Sequence, residues 1–244
     1  MKVKITSIVF LLFSIVSFSQ TKEINKKIDY LVDKNRKDKP ILELLVKKSK
    51  EKAYLEGEFY GSNGLGRYYR DHSIFNKSIT FYKKALGISR VLKDTVSEVK
   101  ILNSMGSVYR RQDDIRKALN YHKEALDIAV HIKNPKVSIK KSISISQNSI
   151  GNIYISLKQY KLALNELNKS IVVQRELGHK LGLAINHQNI GNAHEELGDL
   201  DKALNNYKKS LNYNNQISSK IGRVICGYSI ANVLIKQKKY NKAF

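Results

Sequence analysis

The chain has 244 residues, 42% of them hydrophobic, and its 44 Lys and Arg against 21 Asp and Glu give a net charge of +23. Its 14 Tyr and 7 Phe supply the apolar surface that a packed core needs, which excludes an intrinsically disordered chain. The single cysteine, Cys226, excludes an intramolecular disulfide and a Cys-rich zinc site. Two Pro and 13 Gly are few for a chain of many tight turns, so the composition favours helices over an all-β fold.

The basic charge is interpreted as solvated surface. Only nine of the 44 basic residues are Arg, the side chain preferred for bidentate contacts to phosphates and bases. Net charge informs on solubility and association rather than on fold. We therefore expect no nucleic-acid partner.

The N-terminus has the pattern of a secretory signal. Lys2 and Lys4 precede the apolar run Ile5–Phe18, and serines near its end offer the small residues that signal peptidase reads. The run is about 14 residues long, shorter than the roughly 20 that cross a bilayer, and no later stretch is apolar enough to span. The sequence predicts a signal peptide at 1–19, a mature start at Gln20 and export to the periplasm or the medium of a bacterium. The alternative is an uncleaved N-terminal anchor.

Two amphipathic segments follow the signal. Ile24–Val32 and Pro40–Leu55 are expected to form a helical pair. Leu42 and Leu45 share the register of the apolar repeat positions described below. Residues 20–58 are therefore predicted to be an N-terminal cap or a degenerate repeat.

A short pattern recurs along the rest of the chain. Asn103–Tyr109 is matched by Asn148–Tyr154, by Gln188–His194 and, earlier, by Asn63–Tyr69. The glycines that these segments share are Gly66, Gly106, Gly151 and Gly191. The period is 40 residues, except for 45 between the second and third glycines, where the extra residues fall around Asn134–Pro135. A fixed period of this size indicates stacked structural units.

Small residues follow each glycine at fixed distances. Twelve residues after the glycines stand Ser78, Ala118, Ala163 and Ala203, and the series continues at Ala243. Seven residues further on stand Ala85, Ala125, Ser170 and Ser210. Small residues at such fixed spacing let helix backbones approach closely while tyrosines fill the adjoining gaps. The residues expected to carry this packing are Gly66, Gly106, Gly151, Gly191, Tyr109, Tyr154, Ala118, Ala163, Ala203 and Ala125.

These residues resemble the motif of the tetratricopeptide repeat family over about residues 59 to 244. The resemblance implies an all-α fold, an α-α superhelix (solenoid) of antiparallel helix pairs, each with a helix A and a helix B. The implied repeats are 59–92, 99–132, 144–177, 184–217 and an incomplete fifth at 224–244. The chain departs from the family in lacking the helix A tryptophan and in its period, which exceeds the usual 34 residues. Longer helices would account for that period. Ser142–Gln147 alternates like a strand, but the repeat register predicts a helix there.

The sequence contains no motif that indicates catalysis. His122 and His194 occupy aromatic positions of the repeat motif, and none of the six histidines stands in a HExxH-type pattern. Cys226 lies on a predicted helix A without an identified base, and no phosphate-binding loop or nucleophile elbow occurs. We expect no enzymatic activity, no metal and no cofactor.

Carboxamide side chains recur on the predicted A helices. In the family, the positions three before and one after the glycine commonly face the concave groove, and here most are Asn or Gln. The predicted groove residues are Asn103, Asn148, Asn152, Gln188, Asn192 and Asn232, with Arg110, Arg111 and Lys100 adding attraction for acidic groups. A carboxamide both donates and accepts, so it can bind the backbone of an extended peptide of any sequence. The alternative is an Asn-rich chain that places Asn on a polar face without a binding role.

The sequence thus predicts an exported, non-catalytic scaffold that binds a protein or a peptide in its groove. An alternative from another class is the N-terminal sensory part of a longer signalling protein, such as a tetratricopeptide-containing sensor histidine kinase. The half repeat that closes at Phe244 motivates it. The identity of the ligand and the oligomeric state stay open at this point.

Overall fold

The computed structural model describes residues 38–238, together with residues 30, 32, 34 and 35. The predicted signal peptide, most of the predicted helix Ile24–Val32 and the chain from residue 239 onward lie outside the described residues. Between residues 38 and 238 the chain forms ten α-helices and no strand. The predicted all-α fold is therefore confirmed for this part of the chain.

The helices follow one another with short turns between them. They are α1 (Lys39–Glu51), α2 (Leu55–Asp71), α3 (Phe75–Val91), α4 (Thr95–Arg111), α5 (Ile115–Val130), α6 (Val137–Ser156), α7 (Tyr160–Glu176), α8 (Lys180–Glu196), α9 (Leu200–Gln216) and α10 (Lys220–Lys236). Seven of these ten have 17 residues. Two such helices, each followed by a turn of three residues, account for the 40-residue period. The longer spacing in the middle of the chain is taken up by the 20-residue α6 and by the turn before it, which contains Asn134.

Each three-residue turn has its middle residue in the left-handed backbone region. These residues are Ala53, Ser73, Lys93, Asp113, Lys158, Gly178, Gly198 and Ser218. The turn after α3 shows the hydrogen bonds involved: the Lys93 N–H donates to the Arg90 carbonyl over 3.1 Å, and the Asp94 N–H donates to the Ser89 carbonyl over 2.9 Å. These bonds satisfy carbonyl groups that the end of a helix leaves free. The backbone therefore reverses within three residues, although only two of the eight residues are glycine.

Side chains at the helix starts complete several turns. The Asp94 carboxylate accepts a hydrogen bond from the Ser97 N–H at 3.1 Å, and the Ser219 hydroxyl accepts one from the Gly222 N–H at 3.1 Å. Each side chain thereby satisfies a backbone N–H of the first helical turn that has no partner within the helix. Local sequence thus defines where these helices begin.

The chain divides into two compact units, Met1–Ala118 and Leu119–Phe244. In the first unit, α1 to α4 pack consecutively. The buried cluster around α1 and α2 consists of Val32, Leu42, Leu45, Leu65 and Tyr69. The two leucines of α1 are buried, as their shared register with the repeat indicated.

In the second unit, α6 to α10 pack consecutively, and α8 also contacts both α6 and α10. Alternate helices are therefore neighbours, so α6, α8 and α10 form one layer of the unit. Two buried clusters lie in this unit, one made of Leu167, Ile171, Leu183 and Ile190 and the other of Ala203, Tyr207 and Val233.

Two local expectations have different outcomes. The predicted helix Pro40–Leu55 is too long, because α1 ends at Glu51 and the left-handed Ala53 turns the chain into α2, where Leu55 is the first residue. The prediction for Ser142–Gln147 is confirmed, since the whole segment lies within α6. Within α6 the serines of this segment are buried, whereas Ile143 and Ile145 are partly exposed. The alternation of Ser and Ile therefore separates buried from partly exposed positions of a helix.

Candidate functional site

The repeated glycines lie against large side chains of the following helix. A Cβ atom at Gly66 would lie 2.7 Å from the ring of Tyr82, and one at Gly151 would lie 2.7 Å from Cγ of Leu167. A Cβ at Gly191 would collide in the same way with the ring of Tyr207. Each glycine therefore makes room for the residue 16 positions later, which fills the space between the paired helices.

The alanines of the predicted motif line the interior. Ala118, Ala125, Ala163 and Ala203 are fully buried. The Ala163 carbonyl oxygen is 3.3 Å from the Cβ position at Gly151, which shows how closely α6 and α7 approach. Gly106 and Tyr109 are buried as well, whereas Tyr154 is only half-buried.

Carboxamide side chains join α6 to α8. Asn148 on α6 donates from Nδ2 to Oδ1 of Asn186 at 2.9 Å, and its own Oδ1 accepts from Asn189 at 3.5 Å and from Asn152 at 3.1 Å. Asn186 in turn donates to the Gly182 carbonyl at 2.9 Å. The amides of two alternate helices therefore hold one another in place.

A second set of polar contacts joins α8 to α9 and α10. Gln188 donates from Nε2 to the Ser229 hydroxyl at 2.9 Å. The Tyr207 hydroxyl lies 2.9 Å from Oδ1 of Asn192 and 2.6 Å from a carboxylate oxygen of Glu195. Burial, together with the hydrogen bond to Glu195, raises the pKa of Tyr207 far above its ordinary value, so it stays a neutral donor. We call the surface formed by Asn148, Asn152, Gln188, Asn189 and Asn192 the amide face.

The other predicted groove residues are placed differently. Asn103 is only 6% exposed, so its side chain is buried within the first unit. Arg110 and Arg111 are exposed at the end of α4, and the Arg111 guanidinium lies 3.5 Å from the Arg70 carbonyl oxygen. Asn232 is half-buried on α10. The structure therefore brings together the predicted carboxamides of α6 and α8.

An aliphatic row accompanies the amide face and was missed by the sequence analysis. Six residues before each repeat glycine or its equivalent, the second unit has Ile145, Ile185 and Ile225, which are 48%, 46% and 49% exposed. The first unit has Tyr60 and Lys100 at the same position. The repeat register shows isoleucine at this position in three successive repeats. The exposure of the row was not predicted, because apolar helix positions at this spacing are more often core than surface.

A cavity of about 200 Å³ opens beside this row in the second unit. Its wall residues come from α8, from α9 and from the start of α10: Leu181, Ala184, Ile185, Gln188, Asn189, Ser210, Asn214, Ser219, Ile221, Gly222, Ile225 and Cys226. The cavity therefore adjoins the amide face through Gln188 and Asn189.

Lysines begin the helices that carry the aliphatic row. Lys180 and Lys220 are the first residues of α8 and α10, and both are exposed. Lys140 on α6 pairs with Glu176 at 3.4 Å, whereas neither Lys180 nor Lys220 has a carboxylate partner among residues 38–238. The first turns of α8 and α10 contain no acidic residue. This end of the layer carries unbalanced positive charge.

Comparison with known proteins identifies the family. The model of the tetratricopeptide repeat matches residues 61–129 and 142–216, which is more than half of the chain. The chain belongs to the tetratricopeptide repeat family. The resemblance found in the sequence and the solenoid type of helix pairing are thereby confirmed.

Solved structures of low sequence identity share the tetratricopeptide fold of this chain. The apo form of RapI is 20% identical with a TM-score of 0.68, covering 84% of this chain and 56% of RapI. BtubC (BKLC) from P. vanneervenii is 15% identical with a TM-score of 0.73, covering 87% of this chain and 86% of BtubC. A Rap protein complexed with competence and sporulation factor is 19% identical with a TM-score of 0.70, covering 99% of this chain and 68% of that Rap protein. The chain spans between about half and two thirds of these Rap proteins, and no curated protein sequence matches it.

The tetratricopeptide repeats of the second unit are joined by a polar junction that the motif does not predict. The Ser170 hydroxyl donates to the Ser144 carbonyl at 2.9 Å, and Gln174 bonds the Ser144 hydroxyl while filling the space above Gly182. One repeat later, the Ser210 hydroxyl donates to the Ala184 carbonyl at 2.8 Å, and Asn214 fills the space above Gly222 while donating to the Ser210 carbonyl. A small residue at the start of each A helix thus accommodates an amide from the preceding B helix.

The histidines of these repeats have structural surroundings. His187 stacks on the Tyr213 ring, with centroids 5.9 Å apart, and its Nδ1 lies 3.0 Å from Oδ1 of Asn206. Burial lowers the pKa of His187 below its ordinary value, and Lys209 and Arg175 act in the same direction. His194 pairs with Asp199 at 3.3 Å, and His122 is fully buried.

The described residues contain neither a metal-binding cluster nor a membrane span. In that part of the chain no group of three or more His, Cys, Asp or Glu side chains could hold a metal ion. None of the described helices is long and apolar enough to serve as a membrane span.

Proposed function

We propose that this tetratricopeptide scaffold binds an extended peptide, or an extended segment of a protein, along the outward face of α6, α8 and α10. The observation that carries the proposal is the combination of the amide face with the half-exposed isoleucine row on neighbouring A helices. Amides bind a peptide backbone without requiring a given sequence, and aliphatic side chains select residues through apolar burial. The two features together suit a chain that runs across successive repeats.

The internal hydrogen bonds of the amide face favour such binding. They fix the orientation of Asn148, Asn152 and Asn192 before a ligand arrives, so less side-chain entropy is lost on association. Within the described residues, Oδ1 of Asn152 and Oδ1 of Asn189 accept no hydrogen bond, so both are open to a backbone N–H. The amide face is therefore preorganised by its internal hydrogen bonds but still has acceptors that a ligand can use.

Two solved structures with this fold contain peptide or protein ligands. One Rap protein is complexed with competence and sporulation factor, and the Rap conjugation gene regulator of plasmid pLS20 is in complex with the Phr* peptide. These ligands belong to those proteins. They support the proposal by showing that helix arrays of this kind accept such partners.

We also infer that the protein acts outside the cytoplasm. The basic and apolar pattern of residues 1–19 supports export with cleavage before Gln20. The expected partner is then a secreted or periplasmic peptide or protein. Mass spectrometry of the protein recovered from the periplasm or medium tests this, and a cytoplasmic product that retains Met1 would contradict it.

The binding proposal is tested on the amide face. Partners are captured from a periplasmic or secreted extract, and the captured peptide is titrated calorimetrically against the wild type and the Asn152→Ala, Asn192→Ala variant. Each hydrogen bond contributes about 0.5 to 1.5 kcal/mol, so we expect affinity to fall roughly tenfold to a hundredfold. Folding should hardly change, because Tyr207 keeps Glu195 and Asn148 keeps Asn189 as partners.

The matched control is Asn165→Ala with Asn205→Ala. These asparagines are exposed at equivalent positions of the B helices α7 and α9, so the control removes the same groups from the other layer. Equal affinities for the wild type and the Asn152, Asn192 variant would place binding elsewhere. A large loss of melting temperature in that variant would show that the two amides serve the fold.

A further inference from the structure

We propose that the cavity between α8, α9 and α10 is an anchor pocket for one aliphatic side chain of an acidic peptide. This inference rests on the proposed function and names the class of ligand that the face selects. The pocket adjoins the amide face at Gln188 and Asn189, so a peptide bound there would pass directly over it.

The size of the cavity indicates a side chain rather than a whole small molecule. Pockets for drug-sized ligands have volumes of roughly 300 to 1,000 Å³, whereas this one measures about 200 Å³. Its volume of about 200 Å³ corresponds to about seven water molecules at about 30 Å³ each. A branched aliphatic side chain can displace that water.

The chemistry of the pocket favours an apolar occupant. Its rim consists of Leu181, Ile185, Ile221 and Ile225, all of which are at least 46% exposed. On the floor, the Cys226 thiol lies 3.2 Å from the Ser210 hydroxyl, and Asn214 donates to the Ser210 carbonyl at 3.0 Å. Because the polar groups of the floor already bond one another, an entering side chain gains from apolar burial and need not supply a hydrogen bond.

The charge around the pocket favours acidic neighbours of the anchor. Lys180 and Lys220 immediately precede the rim residues Leu181 and Ile221, and no carboxylate within residues 38–238 neutralises them. The N-terminal ends of α8 and α10 add the positive end of each helix dipole at the same edge. The ligand class is therefore an extended peptide with an aliphatic residue flanked by Asp or Glu.

The probe is an octapeptide with fluorescein on its N-terminal amine and an amidated C-terminus, with one leucine between two aspartates and glycine and serine elsewhere. Its binding to the full chain is followed by fluorescence anisotropy. Two companion peptides replace the leucine by serine or the aspartates by asparagine. We expect each replacement to weaken binding about tenfold. Added salt should weaken binding of the two peptides that carry aspartates more than binding of the asparagine peptide. Failure of the leucine peptide to bind more tightly than the serine peptide would overturn the proposal.

Variants place the effect in the pocket. Ile185→Ser with Ile225→Ser should weaken binding of the leucine peptide about tenfold and leave the serine peptide unaffected. Leu162→Ser is the matched control, because Leu162 is exposed to the same degree, 48%, but lies on the B helix α7, outside the pocket and the isoleucine row. Lys180→Ser with Lys220→Ser should reduce the salt dependence, whereas Lys161→Ser with Lys208→Ser removes the same charge from exposed B helix positions without that effect.

Two results separate this inference from the proposed function. If the captured partner loses affinity for the Asn152, Asn192 variant but binds the Ile185, Ile225 variant like the wild type, the amide face stands and the anchor pocket is wrong. Sedimentation velocity tests another occupant: a dimer that the Ile185, Ile225 substitutions dissociate would show that a second copy of the chain fills the pocket. That result would overturn the peptide anchor.

Discussion

Helices α4 and α6 occupy the same place in successive repeats but bury different chemistry. At three equivalent positions, α4 of the first unit buries Val99, Ile101 and Leu102. At these positions α6 of the second unit buries a polar set, Ser144, Ser146 and Gln147. Both helices keep the repeat glycine and a buried apolar residue just before it. The tetratricopeptide register therefore fixes which positions are inside without fixing whether they are apolar.

The polar interior of α6 depends on its hydrogen bonds. The Ser144 and Ser170 hydroxyls lie 2.9 Å apart, and the Ser146 hydroxyl donates to the Ser142 carbonyl at 3.0 Å. An aliphatic core tolerates small changes in shape, whereas a buried polar network becomes costly when one member is lost. The two helices should therefore respond to substitution in opposite ways.

The largest effect is expected where the two repeats do not differ. Ala163 is fully buried against α6, so Ala163→Glu forces a charge into the closest helix contact at a cost of roughly 3 kcal/mol or more. The melting temperature should fall by about 6 to 12 °C in circular dichroism. Asn165→Glu, on the exposed side of α7, should melt like the wild type. An unchanged melting temperature of the Ala163 variant would contradict the repeat register.

Exchanging one residue between the helices sharpens the contrast. Leu102→Gln puts an amide into a fully buried aliphatic site and should cost roughly 2 to 3 kcal/mol. The reverse exchange, Gln147→Leu, should be neutral or slightly stabilising, because in the described residues Oε1 of Gln147 is buried without a hydrogen-bond partner. Urea unfolding of both variants measures the difference. Equal losses would show that α6 needs its polar residue as much as α4 needs its leucine.

A smaller effect tests the network as a unit. Ser144→Val introduces the residue of α4 but deprives Gln174 of its hydroxyl partner, so we expect a loss of about 1 to 3 kcal/mol. Adding Ser170→Ala and Gln174→Leu removes the two polar side chains that bond Ser144. Because these buried groups are then no longer left without a partner, most of the lost stability should be recovered. If the triple variant is no more stable than the single one, the serines contribute by shape and not by hydrogen bonding.

The smallest effect concerns pH. His187 takes the position of Leu102 one repeat beyond Gln147, and burial holds its pKa below the ordinary value of 6.5. Because the unfolded chain binds the proton more readily, stability should decline as the pH falls below about 6.5 and should go on declining until the folded pKa is passed. Melting temperatures at about pH 7.5 and pH 5 should show a smaller decline for His187→Gln than for the wild type. Identical declines for the two proteins would show that protonation of His187 does not lower the stability of the fold.

The sequence predicted the repeat better than it predicted what joins the repeats. Glycine and alanine at fixed spacing identified the paired helices, and the register correctly overruled the strand-like alternation of Ser142–Gln147. The end of α1 was missed because its turn uses Ala53 in a left-handed conformation, which carries no Gly, Asn or Pro signal. Composition alone does not reveal such a turn.

The candidate site was predicted in part. Repeat positions singled out Asn148, Asn152 and Asn192, but their partners depend on side-chain orientation and on the spacing between alternate helices. The position of Ile185 was visible in the register, yet its exposure follows from how the layer packs. The cavity beside it arises from three helices together, so no local pattern in the sequence could indicate it.

The left-handed turns leave this chain room for engineering. Six of the eight left-handed residues in the three-residue turns carry a side chain, Lys93 and Lys158 among them, at a backbone conformation that glycine adopts freely. Replacing such a residue by glycine should gain roughly 0.5 to 1 kcal/mol per site. None of these six residues lines the cavity between α8, α9 and α10. A more heat-resistant version could thus be built by editing the connections alone, leaving the recognition surface as it is.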